Sequence, residues 1–258
     1  MLVGGKNMND TVLQAHMVRG LPWWRIGLVA CLGLVGLSYA GWIVLHSREP
    51  DRDAGSRDVA QQAKDYLREQ KFEPLSAPLA ELIAHPKEFL VKTQGHPLLG
   101  EKAPPLELSD HRERPWQLAH QLEKGPVVLV FYYGYFCNHC VAQLFALHAD
   151  IALFHELGAE VVAISPDSPQ TTRERFRKYG EFSFPVLADP DHKIAQQYGV
   201  FTKGKDGQPD DLEHATFVIG RDGTVAWTQH GDTPFTGNRT LLYELARVEG
   251  RLAPSSEP

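Results

Sequence analysis

The run Val127-Val-Leu-Val-Phe-Tyr-Tyr133 is an unbroken series of apolar, β-branched and aromatic side chains. A strand with one face in water would carry a polar residue at every second position, so this strand is buried on both faces, as in a parallel sheet. Parallel neighbours cannot be joined by a tight turn and need a crossover, usually a helix. The chain supplies one at once. From about Asn138 to Leu157, Val141, Leu144, Leu147, Ile151 and Phe154 recur at helical spacing, and Gly158 offers a stop. This pair of elements commits the chain to an α/β architecture.

The flanking sequence extends the pattern. Ala103–Leu108 reads as a short extended segment, Val161–Ile164 as the next strand and Thr171–Tyr179 as a polar helix. Phe184–Leu187 is a short strand before a helix capped near Asp189 or Asp191. Ala215–Ile219 and Thr224–Trp227, joined by Arg221-Asp222-Gly223, read as a hairpin, and Asn238–Val248 as a closing helix. The predicted order β-α-β-α-β-α-β-β-α is a mixed central sheet flanked by helices.

One segment departs from this globular pattern. Ile26 to Leu45 is twenty residues without a charge, and a helix of that length is about 30 Å long, the thickness of a bilayer's hydrocarbon core. Trp23 and Trp24 before it and Tyr39 and Trp42 near its end are side chains that favour the headgroup layer. A cleaved signal peptide is the competing reading, with Ser38-Tyr39-Ala40 as the cleavage site. The long leader and the apolar continuation through Leu45 favour an uncleaved transmembrane anchor. Lys6, Arg19 and Arg25 before the segment are matched by Arg48, Arg52 and Arg57 after it, so charge does not set the orientation. The expectation is a soluble part on the extracytoplasmic, periplasmic side. The predicted organisation is a leader over 1–25, an anchor over 26–45, a linker with short helices over 46–96, a folded domain over 97–250 and a tail over 251–258. Within the linker, Val59–Gln70 and Ala77–Ala84 read as helices forming either a spacer or a packed collar.

Residues 1–45 hold three of the 26 basic and one of the 32 acidic side chains, leaving a net charge of −8 on the rest. That balance argues against a nucleic-acid surface. Of three cysteines, Cys31 lies in the apolar segment, and the other two form Cys137-Asn-His-Cys140 at the junction of the strongest strand and the longest helix. At a helix N-terminus, unpaired N–H groups and the dipole favour thiolate over thiol, and His139 adds positive charge when protonated. The second thiol, one turn on, is placed to attack a mixed disulfide. A zinc site would want a second Cys or His pair at short spacing, which the sequence lacks. Of the aromatics beside the motif, Tyr132 is expected in the core and Tyr135 in a substrate groove. His46, His111 and His230 are expected to be solvated, and Lys203–Glu213 to be a solvated loop.

Val127–Leu144, with its FYYGYFCNHCVAQL ending, resembles the active-site segment of the peroxiredoxin-like AhpC/TSA (redoxin) branch of the thioredoxin superfamily. The resemblance continues in Phe184-Pro-Val-Leu-Ala-Asp-Pro-Asp191, Tyr198-Gly-Val200 and His214-Ala-Thr-Phe-Val-Ile-Gly-Arg-Asp-Gly223, over roughly residues 97 to 250. It implies a thioredoxin-like fold and thiol-dependent redox chemistry, either disulfide exchange or peroxide reduction. No bound cofactor is needed; the partners are a dithiol electron donor, a disulfide-bearing protein or a peroxide. Alignment to peroxiredoxins puts Cys140 in the peroxidatic place, Cys137 where a Thr stands and His214 where an Arg supports the thiolate. Without those two peroxide-polarising groups, fast peroxide reduction is not expected. Alignment to thioredoxin-like reductases makes Cys137 the nucleophile and Cys140 the resolving thiol, with His139 matching the His of CPHC and CGHC oxidants. Those families carry a cis-proline where this chain has Ala215. A third alternative is similarity to Sco-type copper chaperones, with Cys137, Cys140 and His214 as the copper-binding set, although that family uses CxxxC. The catalytic candidates are thus Cys137 and Cys140, supported by His139, His214 and Tyr135.

Overall fold

The computed structural model describes residues 58–205 and 208–252, all within one unit, Ser56–Pro258. The predicted anchor over 26–45 and the tail beyond residue 252 lie outside the described residues. Among the described residues no helix is long and apolar enough to cross a membrane.

Helix α1 (Val59–Glu69) opens on Asp58, whose carboxylate accepts from the amide of Ala60 at 3.0 Å. Ala60, Ala63 and Leu67 recur at three- and four-residue spacing and are buried. The short α2 (Leu79–Leu82) follows, then β1 (Glu107–Asp110), β2 (Pro115–Gln117) and α3 (Leu118–Leu122). The predicted central strand is β3 (Val127–Phe131), buried at every position. After it come α4 (Asn138–Ala149), α5 (Ile151–Glu156), β4 (Glu160–Ser165), α6 (Pro169–Tyr179), β5 (Val186–Ala188) and α7 (Lys193–Gln197). The two-residue strands β6 (Phe201–Thr202) and β7 (Asp211–Leu212) precede β8 (His214–Ile219), β9 (Val225–Gly231) and α8 (Asn238–Val248).

The seven-stranded sheet runs β2-β1-β5-β4-β3-β8-β9. β3, β4 and β5 are parallel, with Val127 opposite Glu160 and Ala163 opposite Val186. β8 and β9 extend one side antiparallel and β1 and β2 the other, while β6 and β7 form a separate small pair. Alternation along β3 sends Val128 and Val130 to one face and Val127, Leu129 and Phe131 to the other. Side chains of α1, α2, α4, α5, α6 and α8 close the first face, and Leu118 of α3 with Ile194 and Ala195 of α7 help close the second. The result is a thioredoxin-like α/β fold with a mixed sheet between helical layers.

Two features differ from the sequence expectation, and a third settles an alternative it left open. The long helix after β3 is broken at Asp150, which ends α4 and precedes α5. Its buried carboxylate accepts from the amide of Leu75 at 2.8 Å and from Asn238 Nδ2 at 2.7 Å, so tertiary bonding sets the helix boundary. Lys203–Glu213 includes β7, paired through Phe201 and Leu212. The stretch 58–96 is a collar rather than a spacer: α1 and α2 contribute to the core, and Val91 accepts from Trp227 Nε1 at 3.1 Å and donates to Thr240 Oγ1 at 3.1 Å.

Candidate active site

Beyond Phe131 the chain must turn from strand into helix within a few residues. Gly134 makes that turn with φ +112°, a conformation that side chains oppose. A Cβ there would lie 2.9 Å from Asp167 Oδ2, and the same oxygen accepts from the amide of Tyr135 at 2.8 Å. Burial pushes the Asp167 carboxyl above the usual carboxylate range, with the Tyr135 amide and the charge of Arg175 pulling against it. This loop sits at the C-terminal ends of the parallel strands, where open α/β sheets place their reactive groups.

Cys137 is the N-cap of α4, and its sulfur accepts from the amide of Cys140 at 3.3 Å. Cys137 and Cys140 form a disulfide with Cα atoms 5.3 Å apart. Their environments differ: Cys137 is partly exposed, whereas Cys140 is fully buried. His139, between them, is exposed and has the ring of Tyr66 from α1 over it, centroids 4.3 Å apart.

His214 opens β8 and is buried. Its Nε2 lies 3.5 Å from Cys140 Sγ, and the ring of Tyr133 covers it at a centroid distance of 4.2 Å. Burial, then the neighbouring charge of His139, lowers its pKa to about 4, with Asp232 opposing. The sulfurs of Cys137 and Cys140 and a ring nitrogen of His214 lie within 4.8 Å of one another. With the two sulfurs bonded together, the trio is a redox pair with an imidazole on its buried member. Gln143, one turn beyond Cys140, donates from Nε2 to Thr216 Oγ1 at 2.9 Å and ties α4 to β8 inside the core.

The structure brings Cys137, Cys140, His139 and His214 together and leaves Tyr135 out of the group. It is 1% exposed, held among Tyr132, Phe176 and Tyr179, because the turn at Gly134 carries it inward beneath α6. The neighbouring Phe136, 75% exposed, occupies the surface beside Cys137 instead. Nor are two of the expected solvated histidines free in water. His111 is buried with Arg112 Nε 3.2 Å from its Nε2, and His230 is paired through Nδ1 with Glu213 at 2.8 Å; His46 lies outside the described residues. Two contributors gave no sequence signal: Tyr66, remote along the chain, and Asp167, an ordinary polar residue in a loop. Gln143 stood inside the motif, without a role.

A thioredoxin-like sheet with a Cys-x-x-Cys disulfide at the N-terminus of the helix after its central strand defines a thiol-dependent oxidoreductase. Residues 99–228 match the model of the AhpC/TSA family, and the chain belongs to that family. It is 29% identical over 129 residues to peroxiredoxin Bcp of Bacillus subtilis, covering 49% of this chain and 81% of that one. It is 26% identical over 102 residues to the thiol-disulfide oxidoreductase ResA of Geobacillus thermodenitrificans, covering 40% of this chain and 58% of the relative. Among solved structures, peroxidoxin BcpB from Mycobacterium tuberculosis superposes with a TM-score of 0.53 at 26% identity, over 61% of this chain and all of that one.

Proposed function

We infer that this protein is a membrane-anchored thiol-disulfide oxidoreductase in which Cys137 attacks and Cys140 resolves. The observation that carries this reading is the unequal burial of the two sulfurs. Cys137, partly exposed at a helix N-terminus, has both the access and the thiolate-favouring field that attack on a substrate disulfide requires. Cys140, fully buried one turn on, is in reach of Cys137. A peroxidase cycle through Cys140 would bring peroxide to a buried sulfur, with Cys137 and His214 where the family's Thr and Arg stand. The partners are a dithiol donor and a disulfide-bearing protein. The segment 26–45 supplies the single anchor, and the catalytic part faces the extracytoplasmic side.

The test uses the full-length protein, reduced and metal-free, challenged in parallel with a disulfide substrate and with hydrogen peroxide. Rapid disulfide exchange, lost in Cys137→Ser and arrested as a trapped mixed disulfide in Cys140→Ser, is the expected result. Peroxide oxidation at about 10⁴ M⁻¹s⁻¹ or faster, the lower end of ordinary enzyme efficiency, would favour a hydroperoxide reductase instead. Reaction with neither would direct the question to copper binding by the same trio. Retention of the protein in carbonate-washed membranes, with the catalytic part open to protease only from the extracytoplasmic face, tests the anchor and its orientation.

A further inference from the structure

Resolution sets a problem that the helix N-terminus does not solve. The dipole of α4 serves Cys137, the N-cap, but Cys140 lies inside the helix and is fully buried, where desolvation opposes forming a thiolate. A thiol is a poor attacking group, so a buried resolving cysteine needs a proton acceptor in contact with its sulfur.

Resting on the disulfide-exchange reading above, the geometry points to His214 as the general base and acid of Cys140. Its Nε2 lies 3.5 Å from Cys140 Sγ. Besides Cys137, whose sulfur lies within 4.8 Å, the charged or titratable groups around the ring include Tyr133, which stacks on it, His139 on α4 and Asp232 just beyond β9. Among these, His139 is exposed with Tyr66 over its ring. The buried Nδ1 of His214 has no hydrogen-bond partner among the described residues. No second residue therefore locks the tautomer, and Nε2 can offer a lone pair to a thiol or an N–H to a thiolate. Burial and the charge of His139 keep the ring neutral in the oxidised site. Once Cys140 ionises, a negative sulfur at that distance favours the protonated ring.

Cys137 thiolate attacks a substrate disulfide, forms a mixed disulfide and expels the first substrate thiolate. Cys140 then passes its proton to His214 Nε2 and attacks Cys137 Sγ. The Cys137–Cys140 bond forms, the bond from Cys137 to substrate breaks, and the second substrate sulfur leaves as thiolate and is protonated by His214 or water. The substrate disulfide is reduced to two thiols as the enzyme dithiol is oxidised. When a dithiol donor resets the enzyme, His214 returns a proton to the departing Cys140 sulfur.

An aromatic disulfide with a coloured thiolate product, 5,5′-dithiobis(2-nitrobenzoate), separates the two events, because attack and resolution each release one equivalent. The measurement is made by stopped flow on the reduced full-length protein carrying Cys31→Ala, which removes the remaining thiol. His214→Gln should slow the second phase about tenfold or more, within the range of positioned proton transfer, and the first phase much less. The residual second phase should climb tenfold per pH unit as hydroxide takes over, and added imidazole should accelerate it in His214→Ala. A second phase of wild-type rate and pH profile in folded His214→Gln would overturn the assignment, as would equal slowing of both phases. Absence of the first phase in the parent protein would overturn the disulfide-exchange reading, and this assignment with it.

Discussion

The ring of Tyr66 lies over the imidazole of His139, with centroids 4.3 Å apart and planes tilted by 37°. An aromatic face attracts a cation by about 0.5–1 kcal/mol at an exposed site, so Tyr66 stabilises any positive charge that the imidazole places beside the Cys137 thiolate. Stabilising the thiolate stabilises the reduced enzyme and makes it a stronger oxidant. Tyr66→Ala should therefore lower the reduction potential by roughly 10–20 mV, the same energy expressed for a two-electron couple, while Tyr66→Phe should keep it. Equilibration in glutathione redox buffers measures the difference.

Gly134→Ala places a methyl group 2.9 Å from Asp167 Oδ2 at a φ of +112°. Strain of this kind costs on the order of 1–3 kcal/mol. The variant should melt earlier and react more slowly at Cys137, because the loop preceding Cys137 is held by that carboxylate. Truncating the obstacle in Gly134→Ala/Asp167→Ala should make the paired loss smaller than the sum of the single losses, read by a double-mutant cycle in urea.

Asp150 joins the collar, the α4–α5 break and α8 through one buried carboxylate. Asp150→Ala leaves the half-buried Leu75 amide without that acceptor and breaks the buried bond from Asn238, a loss of about 1–3 kcal/mol. Urea titration should show the lower midpoint, and amide exchange should be faster at Leu75 than in β3. Asp150→Asn, which keeps one acceptor oxygen, should lose less.

Protonation of His214 links stability to pH. Its folded-state pKa is lowered to about 4 from 6.5 by burial first and then by His139. Above pH 6.5 the ring is neutral in both states and contributes no slope. As pH falls from 6.5 towards 4 the unfolded chain takes up a proton that the folded chain refuses, so stability declines across that window and levels off at this site below it. His214→Gln should lack that part of the decline, which paired urea titrations at pH 7 and pH 5 would reveal.

Much of the fold was legible because its determinants are local. The apolar run at Val127, the helical spacing from Val141 onward and the hairpin around Asp222 each signal their element within a few residues, and β3, the β8–β9 pair and the start of α4 form where expected, the helix then breaking at Asp150. β1, β2 and α3 were less legible. Leu108 and Trp116 pair across a short hairpin whose stability rests on docking against β5 rather than on its own pattern. Tyr135 and Phe136 show the same limit at the site: adjacent aromatics in one loop, one buried and the other exposed.

What the sequence determined by itself is the chemistry. A Cys-x-x-Cys pair where a doubly buried strand meets a helix admits few uses, because strand burial, helix dipole and one-turn spacing all act over short stretches of chain. Tertiary structure decided the division of labour. It buried Cys140 while leaving Cys137 partly open, brought His214 to 3.5 Å from the buried sulfur, and laid Tyr66 over His139. Those relations depend on how β8 and α1 pack against α4. Packing is set by the complementary shape of distant side chains, and spacing along the chain does not encode it.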